Sequence, residues 1–167
     1  MALFFTVSLR IPALPLFQPG QAAVSLGREL QGAMLGIVAE IATEARRRTP
    51  VFTGVLRASI GTRVTLGQEA GSLVLGEVFT GAEAPYAVYV EEGTRPHWPP
   101  RAPIEFWAQK VLGDRALWFV VARAIARRGT KAHHMFRDAM AQVQPTLASR
   151  LQAAVDRAAQ ALMAEGR

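Results

Sequence analysis

The chain has 167 residues, half of them hydrophobic, no cysteine and a formal net charge of +6. That length suits one domain with a real core, the hydrophobic content excludes a disordered chain, and the missing cysteines exclude disulfides and thiolate metal sites. The charge is uneven: residues 95–137 carry 9 basic and 2 acidic residues, residues 1–94 are net −1, and residues 138–167 balance.

A cationic segment of this kind suits nucleic acid, an acidic protein surface or a solvated helix face. Its charge is nearly all arginine, since only Lys110 and Lys131 are lysines. No apolar run reaches the roughly 18 residues of a membrane helix. Met1–Leu9 is apolar but has no basic flank before it, and Arg10 and Pro12 break it, so it does not read as an export signal.

Leu3–Ile11 is rich in aromatic and β-branched residues and predicts a strand, ended by Pro12 and Pro15. The tract to Gly20 reads as an extended arm, and the strand with Phe4 and Phe5 as a contact to a neighbouring subunit. From Gln21 to Arg48, Leu26, Leu30, Met34, Ile37, Ile41 and Ala45 recur at three- and four-residue steps and predict one long helix. Gly27, Gly32 and Gly36 on it suggest close approach by another element. Arg46, Arg47 and Arg48 complement the dipole at its C-terminal end. Pro50 and Gly54 mark a turn. Leu56–Leu66 and Ser72–Thr80 then predict an antiparallel pair around the loop 67–71. The expected core is α+β: a long N-terminal helix packed on a small antiparallel sheet, followed by an all-helical C-terminal part.

Tyr86–Glu92 reads as a short helix stopped by Gly93. A proline-punctuated loop with His97, Trp98 and Arg101 follows and is the most binding-like stretch, because Trp and Arg concentrate at interface hot spots. Ile104–Leu112 predicts a helix. Asp114 is placed to cap the next one, which runs to Arg128 with Leu117, Val120, Val121, Ala124 and Ile125 as its buried stripe. Residues 134–165 are helical again, with Pro145 expected to divide or kink them and Leu147, Leu151, Val155, Ala158 and Leu162 forming a stripe. Two tracts resemble each other, Gly93-Thr94-Arg95-Pro96-His97 and Gly129-Thr130-Lys131-Ala132-His133; helix-stop chemistry explains both more simply than duplication. The expected organisation is one domain, 1–167: strand and arm 1–20, helix and sheet core 21–94, an inserted helical pair 96–128 and a C-terminal helix 134–167.

The chemistry of an enzyme is missing from the pattern. The histidines His97, His133 and His134 lack metal-ligand spacing, and no nucleophile elbow, phosphate loop or dinucleotide fingerprint occurs. Neighbours on a helix, Glu91 and Glu92 diverge by roughly 100° and do not form a glycosidase pair. Structural ion pairing of Glu91 and Glu92 with Arg57, Arg95 or Arg101 is the simpler reading, and a hydrolase built on Glu91, Glu92 and His97 the weakest. No cofactor and no metal is expected.

Three motifs stand in order: Thr49-Pro50-x-x-Thr53-Gly54-x-Leu56-Arg57-x-Ser59-Ile60, Tyr86-x-x-Tyr89-Val90-Glu91-x-Gly93-Thr94 and Met135-Phe136-x-x-Ala139. Together they resemble the neck or tail-completion (minor tail) proteins of long-tailed phages, of the lambdoid gene-product-ten type, with the lambda minor tail protein Z as a distant relative. Phe52 departs from the family's usual aspartate. That resemblance implies a non-enzymatic virion protein at the head–tail junction, assembled in the host cytoplasm into a ring around the DNA channel. Its partners would be other copies and head-closure, tail-terminator or tail-tube proteins, with non-specific contact to passing DNA and no membrane. A tail-terminator ring and a basic nucleic-acid-binding module are the alternatives. On this reading Trp98, Arg101, Arg127, Arg128, Phe4 and Phe5 are interface positions, while Pro50, Gly54, Tyr86, Glu91 and Gly93 serve the fold.

Overall fold

The structure, a computed structural model, describes residues 6–12, 21–66 and 72–165. Among these, strand β1 (Thr6–Pro12), helix α1 (Gln21–Arg48), helix α2 (Val55–Ser59) and strands β2 (Ile60–Leu66) and β3 (Ser72–Thr80) build the first half. Helices α3 (Ala87–Glu92), α4 (Arg101–Leu112), α5 (Trp118–Arg128) and α6 (Met135–Glu165) build the second. The sheet is antiparallel with order β1-β3-β2, and the architecture is α+β as expected.

The periodic stripe of α1 is what the sheet and α6 close on. Leu26, Leu30, Met34, Ile37, Ile41 and Ala45 are all buried. They share one core with Ile60, Val74 and Val78 of the sheet and with Met135, Phe136, Ala139 and Val143 of α6. Helix α1 is therefore the middle layer. Helix α6 runs antiparallel to it, tied by Arg48–Gln142 at 2.7 Å, Glu40–Arg150 at 2.6 Å and Glu29–Arg157 at 3.0 Å. These exposed pairs fix register more than they stabilise.

Several expectations need correction. Thr6–Ile11 pairs with β3 of its own chain and so forms an edge of the sheet, while Phe4, Phe5 and residues 13–20 lie outside the described residues. Leu56–Leu66 is not one strand, because 55–59 form a helical turn before β2 begins at Ile60. Pro145 does not divide α6, which passes through it with the proline ring exposed to solvent. The inward stripe of α6 runs through Ala154 and Ala158, leaving Val155 outside. Of the α1 glycines, Gly32 and Gly36 face open space, and only Gly27 meets another element, at Leu66.

The first motif explains itself in this fold. The buried Thr49 hydroxyl donates to Ala45 O at 2.6 Å and lies 3.3 Å from Met135 Sδ. Arg57 donates to Thr49 O at 3.1 Å, and Leu56, Ser59 and Ile60 are buried. Gly54, at φ 84°, turns the chain into α2. These residues hold the C-terminal end of α1 against the first strand after it.

Candidate interaction site

Two joints position everything after residue 86. The first is Glu91. It is fully buried, and its carboxylate accepts the backbone N–H of Phe136 at 3.0 Å and of Arg137 at 2.9 Å. Those groups open α6, so a side chain from α3 caps a helix forty residues on and complements its dipole. In return, His133 N and His134 N donate to Val90 O and Glu91 O at 3.0 and 3.1 Å, satisfying the end of α3. Glu91 is thus not in an ion pair with Arg57, Arg95 or Arg101. Both of its carboxylate oxygens are engaged by those backbone donors, and Glu92 is exposed with no ion-pair partner among the described residues.

The second joint is where the two similar tracts meet. Thr94 and Thr130 form an antiparallel bridge, exchanging N–H···O bonds of 3.2 Å in both directions, with their hydroxyls 3.0 Å apart. Gly93 at φ 72° and Gly129 at φ 71° flank it. A Cβ on Gly129 would sit 1.8 Å from Thr94 O, and one on Gly93 2.5 Å from Thr130 O. The shared Gly-Thr pattern is therefore the two halves of one closure, each glycine clearing room for the other strand. Gly129→Ala is expected to cost about 1–3 kcal/mol from positive φ and backbone overlap. Faster amide exchange at residues 94 and 130 than in wild type would show it, and unchanged exchange would contradict it.

Between these joints, α4, a 3₁₀ turn (Arg115–Leu117) and α5 form a helical hairpin. Asp114 caps the turn by accepting Ala116 N at 2.8 Å, as its position suggested. Glu105 on α4 holds the hairpin together, accepting Arg101 Nε at 2.6 Å and Arg115 Nε at 3.0 Å. Arg101 also stacks over Trp118 at 4.7 Å. Edge-to-face contacts then run from Trp118 to Phe119 and from Phe119 to Trp98, both at 5.8 Å. Phe52, in the turn after α1, meets Phe106 of α4 edge-on at 5.5 Å. Its departure from aspartate therefore has a physical partner, a ring on the hairpin.

The Arg115 and then the Arg101 hydrogen bond hold the Glu105 carboxyl below its ordinary range. A depressed carboxylate contributes stability above its unfolded value and loses it as pH falls through the folded one. Acidification through and below the usual carboxylate range should therefore loosen the hairpin. All three tryptophans, Trp98, Trp107 and Trp118, lie on it or on the loop entering it, so their emission is the measurement. A red shift that Glu105→Gln abolishes is the expected outcome; identical titrations for both proteins would contradict it.

The expected buried stripe of α5 is largely absent. Ala122 alone on this helix is buried; Val121, Ala124 and Ile125 are half-buried, while Leu117 and Val120 are exposed, Val120 to 63%. Phe119, at 49%, and Trp98, at 55%, are exposed as well. The helical period was right but the layer it implied is missing, so the face is apolar and unpartnered, which marks an interaction surface. Trp98 and Arg101 come together around Phe119 and Trp118. Arg127 and Arg128 are exposed at the far end of α5, roughly 12 Å along the helix from Phe119. Sequence reasoning missed Phe119, Phe106 and Tyr89 as surface residues. The signal available was an aromatic density too high for two short helices to bury.

A groove of about 1150 Å³ opens between the hairpin and the core. Its walls include Phe52, Tyr86, Tyr89, Trp107, Val111 and Ile125, and its charged lining is Arg95 and Lys131 with no carboxylate. His97 and His133 also line it, and His97 Nδ1 lies 2.9 Å from Arg95 O. Among the described residues no group of three or more His, Cys, Asp or Glu side chains is arranged to hold a metal. No described helix is long and apolar enough to cross a membrane.

No curated protein and no solved structure gives a match to the chain. Residues 21–93 match the family model HK97-gp10_like, described as "Bacteriophage HK97-gp10, putative tail-component". The match spans less than half of the chain. It covers α1 through α3 and ends one residue before the Thr94–Thr130 bridge, so the hairpin and the Met135-Phe136-x-x-Ala139 motif lie beyond it. Over its helix-and-sheet core, the chain is similar to the HK97 gp10-like family of phage tail components.

Proposed function

We propose that the chain is a non-enzymatic structural protein of a phage particle, acting at the head–tail junction as a neck or tail-completion component. It forms a ring around the DNA channel and contacts head-closure, tail-terminator or tail-tube proteins. The observation that carries this reading is the family match over residues 21–93. The unburied apolar and arginine-rich hairpin supports it, because an exposed apolar patch rimmed by polar groups marks an interaction surface. The hairpin is a helical pair inserted into the family core and shapes the interface particular to this protein. The chain resides in the virion after assembly in the host cytoplasm.

Electron microscopy of particles produced with the gene deleted tests the reading. Filled heads beside complete, unjoined tails are expected. Tails of uncontrolled length would replace the neck role by a terminator ring, and normal particles would remove the virion role.

One observation favours a second reading. Arg95, Arg123, Arg127, Arg128 and Lys131 are exposed and have no ion-pair partner among the described residues. As a nucleic-acid module the chain would bind short duplex DNA with an affinity that falls steeply with salt. Absence of binding at low salt would leave these cations to protein partners.

A further inference from the structure

Helix α5 carries Phe119, Val120, Arg123 and Arg127 within an arc of roughly 100°, and all four are exposed. Trp98 abuts Phe119, so the stripe is apolar at one end and cationic at the other. A second stripe lies on the core. Ala84 N donates to Gly81 O and Ala87 N to Ala84 O, turns that lead into α3, and Val90 N donates to Tyr86 O as α3 opens. On an α-helix residues three apart diverge by about 60°, so Tyr86, Tyr89 and Glu92 share an arc of roughly 120°, with Glu83 in the turn before them. These four residues are all exposed, with neither carboxylate in an ion pair among the described residues. This second stripe is aromatic in the middle and acidic at both ends.

The two stripes do not pair within the chain, yet they match in chemistry: arginines and an apolar edge on the hairpin, carboxylates and two tyrosines on the core. The geometry points to a contact between copies, in which the α5 stripe of one chain lies on the Glu83–Glu92 stripe of the next. The two surfaces differ, so the contact is heterologous, and repeated around an axis it closes a ring. Tyrosines flanked by charge opposite a Phe, Val and Arg surface have the composition of an interface centre. This inference rests on the ring proposed above and names the surfaces that would form it.

Sedimentation velocity and native mass spectrometry on the full chain test it. Two variants are compared with wild type, Arg123→Glu with Arg127→Glu and Glu83→Arg with Glu92→Arg. All four positions are exposed, and circular dichroism checks that both variants fold. Wild type is expected to form a closed oligomer larger than a dimer, weakened by salt. Each variant alone should associate at least about tenfold more weakly, because like charges then face each other. An equimolar mixture should associate again, since each junction between the two variants joins opposite charges; rings with an even number of copies can alternate them throughout. Val120→Ser, which leaves the charge unchanged, should weaken association as well.

A monomeric wild type, variants that assemble as wild type does, or a mixture that fails to associate again would each overturn the contact. Its failure is separable from failure of the neck role. Association on mixing, with normal particles after gene deletion, would keep the contact and remove the neck role. Unjoined particles after gene deletion, with charge reversal leaving assembly intact, would keep the neck role and overturn the contact.

Discussion

Glu91→Ala is expected to lower stability by about 3–5 kcal/mol and the melting temperature by roughly 10–15 °C for a chain of this length. The carboxylate is fully buried and receives two backbone N–H groups at the start of α6. Hydrogen bonds to a charged acceptor are roughly twice as strong as neutral ones, and low local polarity strengthens them further. Alanine removes both at once, together with the favourable end charge on a helix of 31 residues. Because α6 is the outer layer on α1, the loss should spread to the whole core. Glu91→Gln keeps the shape and one acceptor oxygen but turns an amide N–H₂ toward a donor, so it should fall between alanine and wild type. Thermal melts read both. A Glu91→Ala chain that melts with wild type would mean that the cap contributes nothing to the fold.

Excising residues 95–129 and joining Thr94 to Thr130 through Asn-Gly should leave a folded core. Residues that exchange both hydrogen bonds in an antiparallel pair stand about 5.5 Å apart at Cα, a gap that a two-residue turn spans. The bridge therefore supplies its own splice point. Helix α1, the sheet and α6 share their core without the hairpin, whose buried residues Ala108 and Ala122 lie outside that cluster. The shortened chain should keep its helical signal and melt cooperatively and, under the proposed role, lose self-association and head–tail joining. Phe52 loses its ring partner in this variant, so Phe52→Asp should be neutral or stabilising there. In the full chain the same change should cost about 1 kcal/mol for the lost aromatic pair. Global unfolding of the excised chain would sink the reading of the hairpin as an insertion.

What the sequence determined by itself was whatever depends on near neighbours. Helix α1 is set by one apolar stripe, β3 by a short apolar run that follows a loop, and the ends of α3 and α5 by glycines that adopt positive φ. The three ordered motifs carried the family resemblance, and the family model matches over residues 21–93, which hold the first motif and the second up to Gly93. Periodicity says which side of a helix is apolar, but not whether another layer exists to cover it. Only the tertiary structure decided that Val120 and Phe119 remain in solvent, because among the described residues no third element packs over them. Pairings across long stretches of sequence were equally out of reach. Glu91 finds α6 rather than an arginine, Phe52 finds Phe106, and the two Gly-Thr tracts find each other. Each of those contacts spans more than 30 residues of sequence, where residue type names the chemistry a side chain needs and the fold alone chooses which group supplies it.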